Sequence, residues 1–173
     1  MKIDINKDIK LLVSDIDGVW TDGSFYYGSN GDSLRKFNTK DSFGVALAKL
    51  VNLPILILSG EDNEMVRSRL TKLNIEDFKL GVTNKLEVLM AHCSNLKINL
   101  SEVAYLGDDM NDYNLINKVG VFFCPSDAYI RVKDNADIVL ETTGGNGVFR
   151  EYVETILHSK GILDQAYNSY LNN

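Results

Sequence analysis

The chain has few residues suited to nitrogen- or sulfur-based metal or redox chemistry. Its 173 residues include two cysteines, Cys93 and Cys124, and two histidines, His92 and His158. Two histidines are too few for a zinc cluster, and both read as surface residues. Both cysteines fall in apolar patterns and read as reduced core residues, not as a disulfide or a metal site. Positive charge is also short: 18 Lys and Arg stand against 24 Asp and Glu, a net charge of −6. A nucleic-acid binder would show a basic stripe instead. An anionic substrate is not thereby excluded, because a local lysine or metal reverses the field inside one cleft. No apolar run approaches a membrane span. Met1-Lys2-Ile3-Asp4 alternates charge where a signal peptide would carry an apolar stretch. The expectation is a cytoplasmic protein with neither a membrane nor a nucleic-acid partner. With no repeat, low-complexity segment or linker, 1–173 reads as a single domain, large enough for one well-buried core.

What the chain does have is carboxylate. The apolar run Ile9 to Val13 reads as a buried strand, and directly after it stands Asp15-Ile16-Asp17-Gly18-Val19-Trp20-Thr21-Asp22-Gly23. Two acids one residue apart then sit at the carboxyl end of a strand, where open α/β sheets bind ligands. Gly18 lets the chain turn there, so the second carboxylate can swing toward the space above the first. Acids converging in this way repel unless a cation or a proton holds them. An Asp-rich turn would read the same in isolation, since Asp, Gly and Thr are common loop residues. The rest of the chain decides.

Aromatic-rich residues around an Asn30-Gly31 turn predict a hairpin over about 24–38. Asp41 or Ser42 is placed to cap a helix with Phe43, Leu47 and Leu50 on one face. Pro54 to Leu58 is a buried strand ending at Ser59-Gly60, and a helix from about Asp62 carries Val66, Leu70 and Leu73. Residues 78–82 are short and extended. Lys85 opens a helix with Leu86, Leu89, Cys93 and Leu96 on one stripe. Val103 to Leu106 is a strand ending in Gly107-Asp108-Asp109. A short helix through Leu115-Ile116, a strand from Val119 to Phe123, a weak helix from Ala128 to Lys133 and a strand from Ile138 to Leu140 follow. After the turn Thr142 to Gly147, a helical tail over about 147–173 presents Phe149, Val153, Ile156 and Leu157. Alternating strands and helices predict a doubly wound parallel sheet with helices on both faces.

On such a sheet the ends of three strands, carrying Asp15 and Asp17, Ser59, and Asp108 and Asp109, lie on one edge, with Lys85 between the second and third. Asp22 and Asp112 add further acid. Ser59 alone would read as a helix cap and Lys85 alone as a solvated first-turn lysine. Four such signals on one edge point to a site. Oxygen donors without His or Cys favour Mg²⁺. A phosphate ester suits these residues: Asp15 attacks phosphorus, Ser59, Gly60 and Lys85 hold the phosphoryl oxygens, and Asp17 moves the proton. Asp108 completes the metal shell, and Asp109 and Asp112 are placed to orient Lys85 or a metal-bound water.

DIDGVWTDG at 15–23, LSG at 58–60, Lys85 and GDDMND at 107–112 resemble the four motifs of the haloacid dehalogenase superfamily of phosphatases. The longer form of the first motif, with GGNGVFRE at 144–151, resembles its KDO 8-phosphate and nonulosonate 9-phosphate phosphatase branch, from about Ile9 to about Glu154. The resemblance implies Asp15 as nucleophile, Asp17 as acid/base and as a metal ligand through its backbone carbonyl, and Asp108 as a side-chain metal ligand. The two inserts, 18–58 and 60–84, are too small for a cap domain, so the fold is expected to be capless. The resemblance then implies a homotetramer in which hairpins pack centrally and a neighbour closes the cleft, with Arg150 in the closing segment. Members acting on KDO 8-phosphate carry Arg after the second motif's glycine; Glu61 here, with Lys72 one helix later, is similar to the nonulosonate type. Thr21 and Asp22 are further substrate-binding candidates. The alternatives are a non-catalytic tetramerising domain of the same fold, as in fusions to sugar-acid cytidylyltransferases, and a receiver-type signalling domain. Intact acids and Lys85 oppose the first, as does the short N-terminus, which speaks against a fusion. Ser59-Gly60, where a receiver carries its aspartate, opposes the second.

Overall fold

A computed structural model describes residue 5 and residues 7–172. The reading of Met1 to Asp4 therefore lies outside the described residues. In chain order the elements are β1 (Leu11–Ser14), β2 (Tyr26–Gly28), β3 (Gly31–Leu34), α1 (Thr39–Leu50), β4 (Ile55–Leu58), α2 (Glu64–Lys72), β5 (Phe78–Lys79) and α3 (Lys85–Leu96). They continue with β6 (Val103–Leu106), β7 (Val121–Cys124), α4 (Ile130–Lys133), β8 (Ile138–Val139), α5 (Val148–Ser159) and α6 (Leu163–Leu171), plus single 3₁₀ turns at Leu100–Glu102 and Tyr113–Leu115.

β5, β4, β1, β6, β7 and β8 form one parallel sheet in that order. Its central strands are apolar along their whole length because both faces are covered. Leu12, Ile55, Ile57, Ala104, Leu106, Val121 and Phe123 face one core, shared with α1, α2, α5 and α6. Leu11, Val13, Leu56, Leu58, Val103, Tyr105, Phe122 and Cys124 alternate to the other, shared with α3 and α4. Cys93 and Cys124 are both buried free thiols, as read. Between β1 and β4 stand only the hairpin and α1, and between β4 and α3 only α2 and β5, which leaves the described chain without a cap domain.

Several local expectations shift. β1 and β7 start later than the apolar runs suggest, and Val119 lies ahead of the strand. The hairpin turns on Ser29-Asn30, with Gly31 already paired to Gly28 and a bulge between Tyr26 and Tyr27. α1 is capped by Asn38, whose side chain accepts the Lys40 N–H at 3.0 Å, and not by Asp41 or Ser42. Asp41 is buried and reaches across to α5, accepting the Phe149 N–H at 3.1 Å. Burial pushes its carboxyl up to about 7 against the pull of the α5 amides. α2 begins at Glu64, capped by Asn63. On α3 Leu96 is exposed, so its buried stripe is Lys85, Leu89 and Cys93. His158 is exposed, whereas His92 is half-buried with a buried Nε2 that has no hydrogen-bond partner among the described residues. The C-terminal segment is two helices, broken at Gly161, where φ is +69°.

Candidate active site

β1, β4 and β6 deliver their last residues to one edge of the sheet, and a cleft of about 370 Å³ opens there. Asp15, Asp17, Gly18, Ser59, Gly60, Glu61, Asp108 and Asp109 line it, with Gly23, Phe25, Met110 and Asn111. Asp15 is continuous with the sheet: its N–H donates to the Leu106 carbonyl at 2.9 Å. One carboxylate oxygen accepts the next residue's N–H, Ile16, at 2.7 Å. The other lies 2.7 Å from Lys85 Nζ and 3.3 Å from Asn111 Nδ2.

Lys85 is the first residue of α3, yet its side chain is only 2% exposed. It stands behind Asp15, bridging it to Asp112 at 2.7 Å on each side. Burial works against its charge, but Asp112 and Asp15 outweigh burial and raise its pKa. The orienting residue is therefore Asp112. Asp109 instead is exposed at the lip, where its side chain accepts the Met110 N–H. The turn after β6 explains the exchange: the Asp112 N–H bonds the Asp109 carbonyl, which folds the Asp112 side chain back beneath the site. There Asp112 also accepts the Tyr105 hydroxyl at 2.6 Å and the Asp108 N–H at 3.2 Å.

Asp15, Asp108 and Asp112 each bring an oxygen within 4.8 Å of the others. Burial first, then repulsion from Asp112, pushes the Asp15 carboxyl up to about 7 despite Lys85. Burial and the neighbouring Asp15, Asp112 and Asp109 push Asp108 up to about 8. Two buried acids and the half-buried Asp108 stand around one lysine, a deficit of positive charge that a hard cation relieves. Asp112 is turned beneath the site with both oxygens occupied, whereas Asp15 and Asp108 line the cleft; these residues fit Mg²⁺. Gly18 must be glycine here: its φ is +76°, and a Cβ would lie 1.8 Å from Asp108 Oδ2.

The side chain of Asp17 takes no part in that cluster. Both of its oxygens accept from Arg35 Nη1 on the hairpin side, at 2.8 and 2.7 Å, and Thr21 donates to Oδ1 at 3.2 Å. Arg35 and Asn111 were not among the residues singled out from the sequence. Asn111 stands inside the GDDMND motif, a usable signal. Arg35 carried none, since an arginine on a hairpin reads as solvated.

Ser59 is buried, its hydroxyl oxygen accepting the Glu61 N–H at 3.3 Å, and the helix-cap reading fails because Asn63 caps α2. Glu61 is exposed on the cleft wall. Thr21 is buried beneath the loop, and Asp22 lies outside, accepting the Ser24 N–H and facing Lys36. Lys72 does not reach this cleft; it lines a separate groove between the hairpin and α2. Arg150 is also elsewhere, paired with Glu154 at 2.6 Å and lying over the Phe43 ring. Its turn contributes through backbone. The Gly145 N–H donates to the Val19 carbonyl at 2.8 Å, and Gly144 packs so closely that a Cβ would lie 2.1 Å from the Gly18 carbonyl oxygen.

A buried acid open on one side to a cleft, backed by a lysine at the carboxyl edge of a doubly wound parallel sheet, marks a hydrolase that works with a carboxylate and a metal. The chain belongs to the haloacid dehalogenase-like hydrolases, whose family model matches residues 58–151. It is 36% identical over 160 residues to the 3-deoxy-D-manno-octulosonate (KDO) 8-phosphate phosphatase of Salmonella typhi, covering 92% of this chain and 85% of the relative. The Moraxella catarrhalis KDO 8-phosphate phosphatase, in complex with magnesium, phosphate and KDO, superposes with a TM-score of 0.90 at 30% identity, covering 96% of this chain and 95% of that one. The cobalt-bound Haemophilus influenzae enzyme gives 0.88 at 32%, covering 95% and 99%.

Proposed function

We propose that this enzyme is an Mg²⁺-dependent phosphatase of 2-keto-3-deoxy sugar acids, working through an aspartyl-phosphate on Asp15. The observation that carries the reading is the Asp15 carboxylate itself, fixed by Ile16 N–H and Lys85 and open to the cleft beside Asp108. Mg²⁺ held by Asp15, Asp108 and the Asp17 carbonyl would supply positive charge between two anions. A carboxylate oxygen of Asp15 attacks phosphorus as the ester P–O bond breaks, and Asp17 gives its proton to the leaving alkoxide. Asp17 then takes a proton from water, which attacks the same phosphorus. The bond to Asp15 breaks and inorganic phosphate leaves. Ser59 and the amides around Gly60, which line the cleft, would donate to the phosphoryl oxygens. Lys85, behind Asp15, acts mainly by holding the nucleophile and offsetting its charge.

The relatives named above are KDO 8-phosphate phosphatases. Glu61 on the cleft wall favours a partner that donates hydrogen bonds, a hydroxyl or an amine, over a substrate carboxylate. This supports a preference for a nine-carbon 2-keto-3-deoxy sugar acid 9-phosphate, such as those of KDN or N-acylneuraminate, over KDO 8-phosphate. Phosphate release from both esters is the test, in wild type, Glu61→Arg and Lys72→Ala. Wild type is expected to favour the nine-carbon ester several-fold in kcat/KM, and Glu61→Arg to reverse the ratio. A preference for the eight-carbon ester that neither substitution moves would refute the selectivity.

The wall that Lys72 would supply comes in this reading from a second copy. Phe25, Tyr26, Tyr27 and Leu34 are 38–74% exposed on a two-stranded hairpin that pairs with no other strand among the described residues. Such a hairpin is marginal by itself, and an aromatic patch of this kind favours association. A homotetramer is expected in sedimentation at micromolar concentration, with Tyr27→Glu dissociating it. A monomer of full activity would count against this assembly.

A further inference from the structure

Resting on the assignment of Asp17 as the proton-transfer group, we propose that Arg35 is the positioning residue for Asp17, and that through it the hairpin is part of the catalytic apparatus. Arg35 follows β3 directly, where a surface arginine would be expected, yet its side chain is 1% exposed. Its Nη1 contacts both oxygens of Asp17, and its Nη2 contacts Asp32 Oδ2 at 3.1 Å. The guanidinium also lies 4.5 Å from the centre of the Phe25 ring, which lines the cleft. Asp32 Oδ2 in turn accepts Asn63 Nδ2 at 3.1 Å, and Asn63 caps α2 just after Ser59-Gly60. One planar cation thus ties the catalytic loop, the hairpin and the start of α2 together.

A buried ion pair of this kind is weak evidence for stability, because desolvation offsets much of the attraction. What it supplies is orientation. A carboxylate has about four acceptor sites. Arg35 takes one on each oxygen of Asp17 and Thr21 takes a second on Oδ1. Oδ2 is left with the free site, and it is the oxygen that gives and takes the proton. Lysine, a point charge, would serve Asp17 or Asp32 but not hold both in one plane.

The test is a double-mutant cycle on the sugar-acid ester turned over fastest. Arg35→Ala is expected to lower kcat roughly 10- to 100-fold, less than the roughly 10²- to 10⁴-fold that the acid–base group as a whole contributes, with KM little changed. Arg35→Lys should fall between. In an Asp17→Asn background Arg35→Ala should cost nothing further, and guanidinium ion below its denaturing range should partly restore Arg35→Ala but not Asp17→Asn. Should Arg35→Ala not fold, the same cycle is run with Arg35→Lys. An additive loss in the double variant, or absence of guanidinium rescue, would reduce Arg35 to a structural residue and overturn the proposal. So would a wild-type kcat in Arg35→Ala. If Asp15→Asn stays active, the phosphatase mechanism itself fails; if Asp15→Asn and Asp17→Asn are inactive while Arg35→Ala is not, only the role of Arg35 is wrong.

Discussion

Asp15→Asn is expected to lower kcat by about 10⁴-fold or more while leaving the protein folded, a loss of the size seen when the central group of a cooperating set is removed. Asparagine has the same shape and still accepts the Ile16 N–H, so β1 and its loop keep their geometry. What it lacks is a nucleophilic oxygen and one of the charges that attract Mg²⁺. The measurement is phosphate release with Mg²⁺ and with chelator, combined with hydroxylamine trapping of an acid-quenched turnover. Wild type with Mg²⁺ should yield a trapped aspartyl adduct on Asp15, and chelated wild type and Asp15→Asn should not. Undiminished release in either case refutes the mechanism.

Lys85→Met carries the second large effect, on stability as well as rate. Lys85 is the one cation between Asp15 and Asp112 among the described residues, and methionine fills its volume without the charge. Losing one partner of a buried ion network typically costs about 3–5 kcal/mol, because the acids left behind are unpaired. The melting temperature should therefore fall sharply in chelator and recover in part with Mg²⁺, which neutralises the same acids. Adding Asp112→Asn to Lys85→Met removes one stranded charge and should restore much of the stability. Activity should stay low, because Asp15 is still without its lysine. If the double variant regained both stability and turnover, Lys85 would be a structural counter-ion alone.

The separation between those two properties has a basis in how the site is assembled. Asp112, Tyr105 and Lys85 lie beneath the cleft and are almost wholly buried, whereas Asp108, Asp17 and Glu61 face it. The buried layer sets where Asp15 stands, and the facing layer meets the substrate. Trp20 and α5 brace the same loop from below: Trp20 packs against Phe149 with the rings tilted by 34° and their centres 4.4 Å apart, and donates through its indole to Ser14 at 3.0 Å.

The parallel sheet was legible in the sequence because its strands are covered on both faces and read as unbroken apolar runs, and because the helices between them carry a 3.6-residue period. Their alternation forces a common edge for strand ends, so Asp15, Ser59 and Asp108 could be placed together from spacing alone. The pairings among side chains were not legible. Whether Asp109 or Asp112 reaches Lys85 depends on one turn after β6 that folds the chain back on itself. That Arg35 holds Asp17, 18 residues earlier, depends on the hairpin lying over the catalytic loop, where a bulge at Tyr26 has already broken the two-residue alternation. Arg150 stands in a motif that predicts a site, yet Phe43 of α1 and Glu154, one turn along α5, hold it away from the cleft. Periodicity along the chain records which face of an element is buried. Which charged group meets which is a matter of distances between elements, and only the folded chain sets those.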